Sequence, residues 1–413
     1  MRAISFLVIA ISLACQTIAH AKPETWLSPN LQSEDYRALM DNHWNKGGEV
    51  QVFKFHSGNL ADSPAMAPNI LSEFKARNGF ARLKSFGLKI AIETGVIKPA
   101  AAGDSNPGWC NGAVWKQEGP KYVRAIEDNG GTVSYLTMDE PLFQTVDQCK
   151  TSYETVLDGT LAFASAIKAE ASHVKIIDIE PYPGLSLEKM KKFVLDLKAR
   201  GRRLDGFHLD INREGVDRGL GINVADPAQQ AKLQDFAKFL HDQNIRFGII
   251  FWSQHTASDE AYVTDVKNFY AQAGALRDVV DDFIFQSWHP SADGRLNIPK
   301  NLGSPNSHFG LIQTLRNAPI PAPDSTGGAC SKKVSQAEYL ETYPDVKAVN
   351  ANPFLHWQLF GKAEGRCQPT GPCTMPLSKI DYLSAYPDVK ANGADPGEHY
   401  RNYGQAEGRC PIE

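Results

Sequence analysis

Residues 204–212 read Leu-Asp-Gly-Phe-His-Leu-Asp-Ile-Asn, a short run in which apolar and polar side chains alternate. Alternation with a period of two is typical of a β-strand, because successive side chains point to opposite faces. An amphipathic helical pattern follows at residues 231–240, so the run reads as one strand–helix unit. The apolar face consists of Phe207, Leu209 and Ile211, and the polar face of His208, Asp210 and Asn212.

The same unit recurs along residues 22–316, and this repetition predicts a fold. Strand–helix alternation indicates a parallel sheet, and seven or eight units in this length favour a closed (β/α)8 barrel of the TIM type over an open doubly wound sheet. No Gly-x-Gly-x-x-Gly follows the first run, which disfavours a dinucleotide-binding fold. The other runs are Val50–His56, Leu88–Glu93, Thr132–Glu140, Val174–Glu180, Ile245–Ser253 and Asp282–Trp288, with His308–Leu315 as a weak eighth.

The polar faces of these strands supply the candidate site. Barrel enzymes carry their active sites at the carboxyl ends of the strands, so polar side chains near those ends are expected around one mouth. Ionised groups are costly to bury without partners, and so many of them together predict a solvated, functional cleft. The expected residues are Lys54, His56, Glu93, Asp178, Glu180, His208, Asp210, Asn212, Gln286 and Trp288.

Two strand ends carry a glutamate followed by proline. The third predicted strand ends Met-Asp-Glu-Pro at residues 138–141, and the fourth ends Ile-Glu-Pro at residues 179–181. This resembles the Asn-Glu-Pro at the end of the fourth strand in the large retaining clan of barrel glycoside hydrolases. That resemblance implies a general acid/base glutamate here, a nucleophile glutamate on the seventh strand and a tryptophan under the sugar. Asp139 replaces the asparagine, the strand is third by count, and the seventh predicted strand offers Gln286 followed by Trp288.

Hydrolysis of a glycosidic bond needs two carboxyl groups, and these strand ends offer them. We predict Glu140 as the acid and Glu180 as the base or nucleophile, with Asp210 as the next candidate. The alternation also lets Asp139 and Glu140 exchange roles. Asp139, Asp178 and Glu93 are expected to tune pKa values by charge crowding, Trp252 and Trp288 to stack on sugar, and Tyr182 to line the groove. The sequence therefore predicts a glycoside hydrolase acting on an oligo- or polysaccharide without a cofactor.

Two other functions remain open from the sequence. A metal-dependent hydrolase could use His56, His208, Asp210, His255 and His289 as ligands, with His208 and Asp210 the best two. A non-catalytic glycan-binding barrel is the second alternative. It is suggested by Gln286, because the seventh predicted strand carries this amide in place of the glutamate of the clan.

The first 21 residues predict export. Arg2 supplies a positive start, Ile4–Ala14 is an apolar run too short to span a bilayer, and Ala-His-Ala at residues 19–21 fits a signal-peptidase site. We expect a secreted or periplasmic monomer starting at Lys22, with a lipoprotein anchored through Cys15 as the alternative. A net charge of -4 argues against a nucleic-acid partner.

Cysteine spacing divides the remainder of the chain. Cys330–Cys367 and Cys373–Cys410 have the same spacing, and the two segments align without a gap at an offset of 43 residues. An even count in an exported chain predicts disulfides within each pair, which leaves Cys110 with Cys149. Cys110 lies in an insert at residues 98–115, so that bond would tie this loop to the third strand–helix connection. A linker at residues 317–329 separates the barrel from repeat modules at 330–367 and 373–410.

The shared frame of the two modules is Tyr-x-x-x-Tyr-Pro-Asp-Val, then His-aromatic, then Gly-x-Ala-Glu-Gly-Arg-Cys. It resembles the "YPDV…EGR" repeat of many secreted bacterial proteins. Each unit is too small for a sufficient apolar core, so a disulfide and short helices are expected to hold it. Its Tyr and Trp side chains could contact a sugar or cell-wall glycan, or could form the small core.

Overall fold

A computed structural model gives the architecture of the chain. It describes residues 22–31, 35–40, 42–45, 48–60, 70–95, 97–98, 113–114, 118–288, 297–298, 306–317, 330, 332–343, 346–347, 352–357, 366–377 and 379–412. The predicted signal peptide and Cys15 lie outside these residues. None of the helices in this part of the chain combines the length and apolar character that crossing a bilayer requires.

Eight parallel strands form a closed barrel, as the sequence predicts. Each strand pairs with its neighbours in chain order, and the first strand pairs with the eighth to close the sheet. The barrel strands are β1 Glu24–Ser28, β2 Val52–His56, β3 Lys89–Gly95, β4 Val133–Asp139, β5 Lys175–Tyr182, β6 Gly206–Ile211, β7 Arg246–Phe251 and β8 Asp282–Gln286.

Helices accompany the strands. They are α1 Asp35–Leu39, α2 Ile70–Ala76, α3 Gly79–Ser85, α4 Glu118–Glu127, α5 Tyr153–Glu170, α6 Leu187–Ala199, α7 Pro227–Asp242, α8 Asp259–Gln272 and α9 His308–Asn317. Four of these begin at a side chain that accepts a backbone N–H of the first turn, which satisfies a donor that the helix itself cannot. The capping residues are Ser152, Ser186, Asp226 and Ser258.

The order of the strands corrects two predictions. The first strand is Glu24–Ser28, which the sequence reading missed because it is short and follows directly on the expected cleavage site. Residues 308–317 form helix α9, so the strand predicted at His308–Leu315 is wrong. Each strand predicted from the sequence therefore stands one place later in the barrel.

Both faces of the barrel wall are buried. The outer face packs against the helices in one large apolar cluster. The inner face carries a second cluster around the axis, and it comprises Trp26, Val52, Ala91, Tyr135, Ile177, Ile179, Ile250 and Ile284. Two short strands, Ile97–Lys98 and Ala113–Val114, pair antiparallel between β3 and α4.

The tail consists of the two disulfide-closed repeats. Cys330 is bonded to Cys367 and Cys373 to Cys410, as predicted. The strands Lys333–Ser335 and Gln368–Thr370 pair in parallel, and a bridge between Leu377 and Ile412 repeats this pairing in the second module. The short helices are Gln336–Thr342, Pro353–His356, Lys379–Ala385, Pro387–Ala391 and Pro396–His399.

The aromatic frame of each repeat is its core. Tyr339 and Tyr382 are fully buried, and their hydroxyls lie 3.0 Å from His356 Nδ1 and 3.1 Å from His399 Nδ1. Trp357 is partly buried and donates its indole N–H to a backbone carbonyl. These contacts favour the reading in which the frame builds the fold of the module.

The two modules also pack on one another. Phe354 and Leu355 of the first module lie against the apolar cluster of the second. Asn352 donates to the carbonyl of Met375 at 2.8 Å, and its amide lies 3.2 Å from Cys373 Sγ. The tail is therefore one packed pair of repeats.

Candidate active site

The carboxyl ends of the strands bring most of the predicted residues together. In parallel strands the paired residues face the same side, so the register identifies which side chains point to the axis. Those on the inner face near this end are Lys54, His56, Glu93, Asp139, Asp210 and Gln286. Trp252 and Trp288 follow the ends of β7 and β8 at the same mouth.

One side of the mouth is a cluster centred on Glu93. Lys54 Nζ contacts Glu93 Oε2, and the lysine is fully buried. His56 Nδ1 lies 3.1 Å from Glu93 Oε1, and Gln286 Nε2 donates to both carboxylate oxygens at 3.1 Å. Burial alone would raise the pKa of Glu93, but the Lys54 and His56 charges and hydrogen bonds hold it well below its usual range. Glu93 is therefore a fixed negative charge in the site.

This cluster also leaves polar atoms unused. His56 Nε2 and Gln286 Oε1 are buried, and neither has a hydrogen-bond partner among the described residues. Buried polar atoms normally find a partner. These two atoms therefore have hydrogen-bonding capacity that the described residues do not use.

Glu140 follows directly on the end of β4 and is half-buried. Burial and the neighbouring Asp139 and Asp210 charges raise its pKa to about 9. Its backbone has φ of 47°, a left-handed conformation that is uncommon for a residue with a side chain and tends to occur at functional sites. This carboxyl therefore keeps its proton to a higher pH than an ordinary glutamate does.

Asp210 stands near the end of β6, two strands from Glu140. Burial and the charges of Glu93 and Asp139 raise its pKa to about 7, although the Trp252 indole N–H acts in the opposite direction. Because this pKa is lower than that of Glu140, there is a pH range in which Asp210 is ionised while Glu140 keeps its proton.

An aromatic corner borders these carboxyl groups. The rings of Trp252 and Trp288 meet edge to face with centroids 5.2 Å apart. Trp288 is 36% exposed, and its carbonyl accepts a hydrogen bond from Asn30 at 2.6 Å. Arg213 donates to the Trp252 carbonyl at 3.1 Å. The corner is thus held by its backbone, and Trp288 stays partly exposed.

The prediction that Asp178 and Glu180 face this mouth is wrong. On β5 the inward side chains are Ile177 and Ile179, which belong to the inner cluster, and the two carboxyls point to the helix layer. Glu180 is fully buried there and accepts the backbone N–H groups of Leu142 at 2.7 Å and Phe143 at 3.1 Å. Burial raises the pKa values of Asp178 and Glu180 well above their ordinary ranges.

Two other predicted positions also differ. His208 lies on the inner face but deeper in the barrel, fully buried, with Nε2 3.3 Å from Asp282 Oδ2. Tyr182 is buried under the helices on the outer face, and its hydroxyl donates to Gln229 at 3.4 Å. Asn212 follows β6 and uses its amide to shape the next loop, by donating to the Leu220 carbonyl at 2.9 Å.

The Asp-Glu-Pro motif ends the fourth barrel strand once β1 is counted. The motif therefore ends a strand with the same number as in the clan that the sequence resembles. Gln286 lies on the eighth strand, one place later than the sequence predicted. The seventh strand ends at Phe251 and continues Trp-Ser at residues 252–253, without a carboxyl group. Gln144, which the sequence reading missed, donates to Asp139 at 3.4 Å and to Glu140 at 3.5 Å. Its signal was the helical spacing of four residues from Glu140.

The ligands suggested for a metal ion are scattered. His208 pairs with Asp282 instead of Asp210, and His255 faces Glu214 in a half-exposed contact at 3.6 Å. His289 lies outside the described residues. Within the described ranges, no group of three or more His, Cys, Asp or Glu side chains is arranged to hold a metal ion. Cys149 is in a disulfide, and its predicted partner Cys110 also lies outside these ranges.

Comparison with known proteins finds solved structures of low similarity. An endo-β-1,6-glucanase is 13% identical over 72% of this chain and 77% of its own, with a TM-score of 0.48. The hyperthermostable endo-1,4-β-D-mannanase from Thermotoga petrophila RKU-1 is 13% identical over 72% and 99%, with a TM-score of 0.44. An HpcH/HpaI aldolase from Desulfitobacterium hafniense is 11% identical over 64% and 86%, with a TM-score of 0.35.

No protein-family model and no curated protein matches the chain.

Proposed function

We propose that this protein is a glycoside hydrolase whose site is the mouth of the barrel. The proposal rests on two carboxyl groups, Glu140 and Asp210, that lie at this mouth beside an aromatic corner and whose pKa values are raised to different extents. Glu140 has a pKa raised to about 9 and Asp210 one raised to about 7. A protonated acid and an ionised carboxylate are what cleavage of a glycosidic bond requires.

In this proposal Glu140 gives its proton to the glycosidic oxygen as the bond to the anomeric carbon breaks. Asp210 supplies the second carboxylate, which either activates the attacking water or attacks the anomeric carbon. Asp139 supports the pair by keeping the pKa of Glu140 high. Glu180, which faces away from the mouth, has no direct part in the chemistry.

The remaining residues would bind the substrate. Trp288 and Trp252 offer ring surface on which the apolar face of a sugar can stack. His56 Nε2 and Gln286 Oε1 have free hydrogen-bonding capacity for sugar hydroxyls. The Lys54–Glu93 pair keeps both of these side chains oriented.

We further propose that the protein acts outside the cytoplasm. The signal-peptide pattern at residues 1–21 and the two disulfides of the tail support this location. We also propose that the tail contacts a glycan. The best candidate for this contact is the exposed side chain of Tyr403, which is 61% accessible to solvent.

The test is a panel of oligo- and polysaccharides incubated with the protein beginning at Lys22, with reducing ends measured. We expect activity on at least one member, and a loss of at least about a thousandfold in kcat for Glu140→Gln and Asp210→Asn. Asp205→Asn, at the opposite end of the barrel, is the control and should keep full activity. Saccharide binding without turnover, unchanged in Glu140→Gln, would favour a glycan-binding barrel instead.

A further inference from the structure

Glu180 makes an unusual contact for a buried carboxyl. Its Oε1 accepts the N–H of Leu142 at 2.7 Å, and its Oε2 accepts the N–H of Phe143 at 3.1 Å. These amides lie in the first turn of the helical segment after Glu140, where N–H groups have no acceptor within the helix. One side chain of β5 therefore fastens the start of the segment that follows β4.

Glu140 and Pro141 lie between the end of β4 and these contacts, and Glu140 is the residue that they hold. Its N–H donates to the carbonyl of Ile179 on β5 at 3.0 Å, and its carbonyl accepts Gln144 N–H at 2.9 Å. Its backbone holds the left-handed φ of 47°, which an unsupported residue with a side chain would leave. Glu140 is thus fixed on both sides by consecutive residues of β5, namely Ile179 and Glu180.

We infer that Glu180 is a positioning residue that acts through the backbone of residues 142–143 to hold Glu140 at the mouth. The inference rests on the proposed role of Glu140 as the acid. The sequence predicts Glu180 as the base or nucleophile. The positioning role replaces that prediction, because the carboxyl group of Glu180 lies on the outer face of the barrel wall.

The groups that face Glu180 support this role. Burial is the main cause that raises the pKa of Glu180, and the carboxyl groups of Asp178, on its own strand, and of Glu140, at the end of β4, raise it further. The two amides of residues 142 and 143 act against this by stabilising the charged form. Glu180 and Glu140 are therefore linked by charge as well as by the backbone.

The first experiment compares Glu180→Gln with Asp205→Asn. Asp205 also accepts a backbone N–H of β5, from Ile176 at 2.9 Å, but at the end of the strand away from the mouth. We expect Glu180→Gln to lower kcat by about a hundredfold with KM changed less than threefold, and to move the alkaline limb of the pH–rate profile. Asp205→Asn should change neither quantity. Equal effects of the two substitutions on kcat and on the profile would overturn the inference.

A second experiment needs no substrate. Because the pKa of Glu140 is raised, its carboxyl costs stability above its unfolded pKa, and Glu140→Gln should raise Tm at pH 8 and leave it nearly unchanged at pH 4. If Glu180 holds Glu140 in place, the rise in Tm that Glu140→Gln produces at pH 8 should be at least halved in a protein that already carries Glu180→Gln. The reference for that second measurement is Glu180→Gln alone. An undiminished rise shows that the two residues act independently and overturns the inference.

These outcomes separate the two proposals. Normal turnover by Glu180→Gln, or an undiminished Tm rise, defeats the positioning role and leaves the proposed function intact. Inactivity of the unsubstituted protein on every saccharide defeats the function, and the Tm measurements then decide the positioning role alone. If Glu180→Gln does not fold, Glu180→Asp takes its place, because it keeps a carboxyl group but draws it away from the two amides.

Discussion

Lys54 and Glu93 form an ion pair inside the barrel, on the neighbouring strands β2 and β3, with the ammonium group wholly removed from solvent. A buried charge is tolerated only with its partner, so each of the two depends on the other. The pair also anchors His56 and Gln286 through the carboxylate. Stability and the shape of the mouth are therefore joined at this contact.

Replacing Lys54 should be severe. Lys54→Met leaves the Glu93 carboxylate buried without its cation and is expected to cost about 3–5 kcal/mol in urea unfolding. Lys89→Met is the control, because its ion pair with Glu24 involves a lysine that is 45% exposed and should cost less than about 1 kcal/mol. Similar losses for the two lysines would contradict this account of the pair.

The pH–rate profile should be bell-shaped with its maximum between about pH 7 and pH 9. Activity falls below this range as Asp210, with a pKa of about 7, gains a proton, and above it as Glu140, with a pKa of about 9, loses one. The measurement is kcat/KM from pH 4 to pH 10 on the best substrate of the panel. Circular dichroism at each pH must show a folded protein, and a maximum near pH 4 would mean that another pair carries the chemistry.

Gly248 on β7 leaves room for His208. A Cβ at this position would lie 2.4 Å from His208 Cδ2 and 2.9 Å from Ile284 Cδ1. Because both neighbours are buried at the axis, Gly248→Ala should destabilise by about 1–3 kcal/mol, measured by chemical unfolding. Gly184→Ala, whose nearest neighbour is 3.3 Å away, is the matched control and should cost clearly less. A neutral Gly248→Ala would show that the packing around His208 yields easily.

Trp288 should matter for binding more than for turnover. Loss of a stacked sugar in Trp288→Ala is expected to raise KM about tenfold, which corresponds to about 1.4 kcal/mol, with a smaller change in kcat. Tyr403→Ala removes an exposed aromatic side chain of the tail and serves as the comparison on soluble oligosaccharides. Equal effects of the two substitutions would move the binding surface away from the barrel mouth.

Strand alternation predicted the inward side chains correctly on four strands. On β2, β3, β6 and β8 the polar face holds Lys54, Glu93, Asp210 and Gln286, and the structure places all four at the axis. On β5 the same rule failed, because Ile177 and Ile179 face the axis. Both faces of a barrel strand are buried, so a period of two separates the faces without saying which one is inside.

The position of an inward side chain along the barrel axis could not be predicted from the sequence either. His208 and Asp210 share a face of β6, but only Asp210 reaches the mouth, while His208 meets Asp282 below it. Alternation assigns a side and not a level along the axis. Glu140 and Asp210, the carboxyl pair that we propose, were both among the predicted candidates. The hydrogen bonds that hold Glu180 away from the mouth form across strands and have no local signal in the sequence.

The contact between the two tail modules limits how the chain can be shortened. Phe354 and Leu355 are covered by the second module, and the residues at the matching positions of that module are Gly397 and Glu398. A protein that is truncated after Thr370 would expose these two large apolar side chains to solvent, and we expect it to aggregate. The second module carries the small residue Gly397 and the charged residue Glu398 at these positions, so it has no matching apolar pair that would need such a cover.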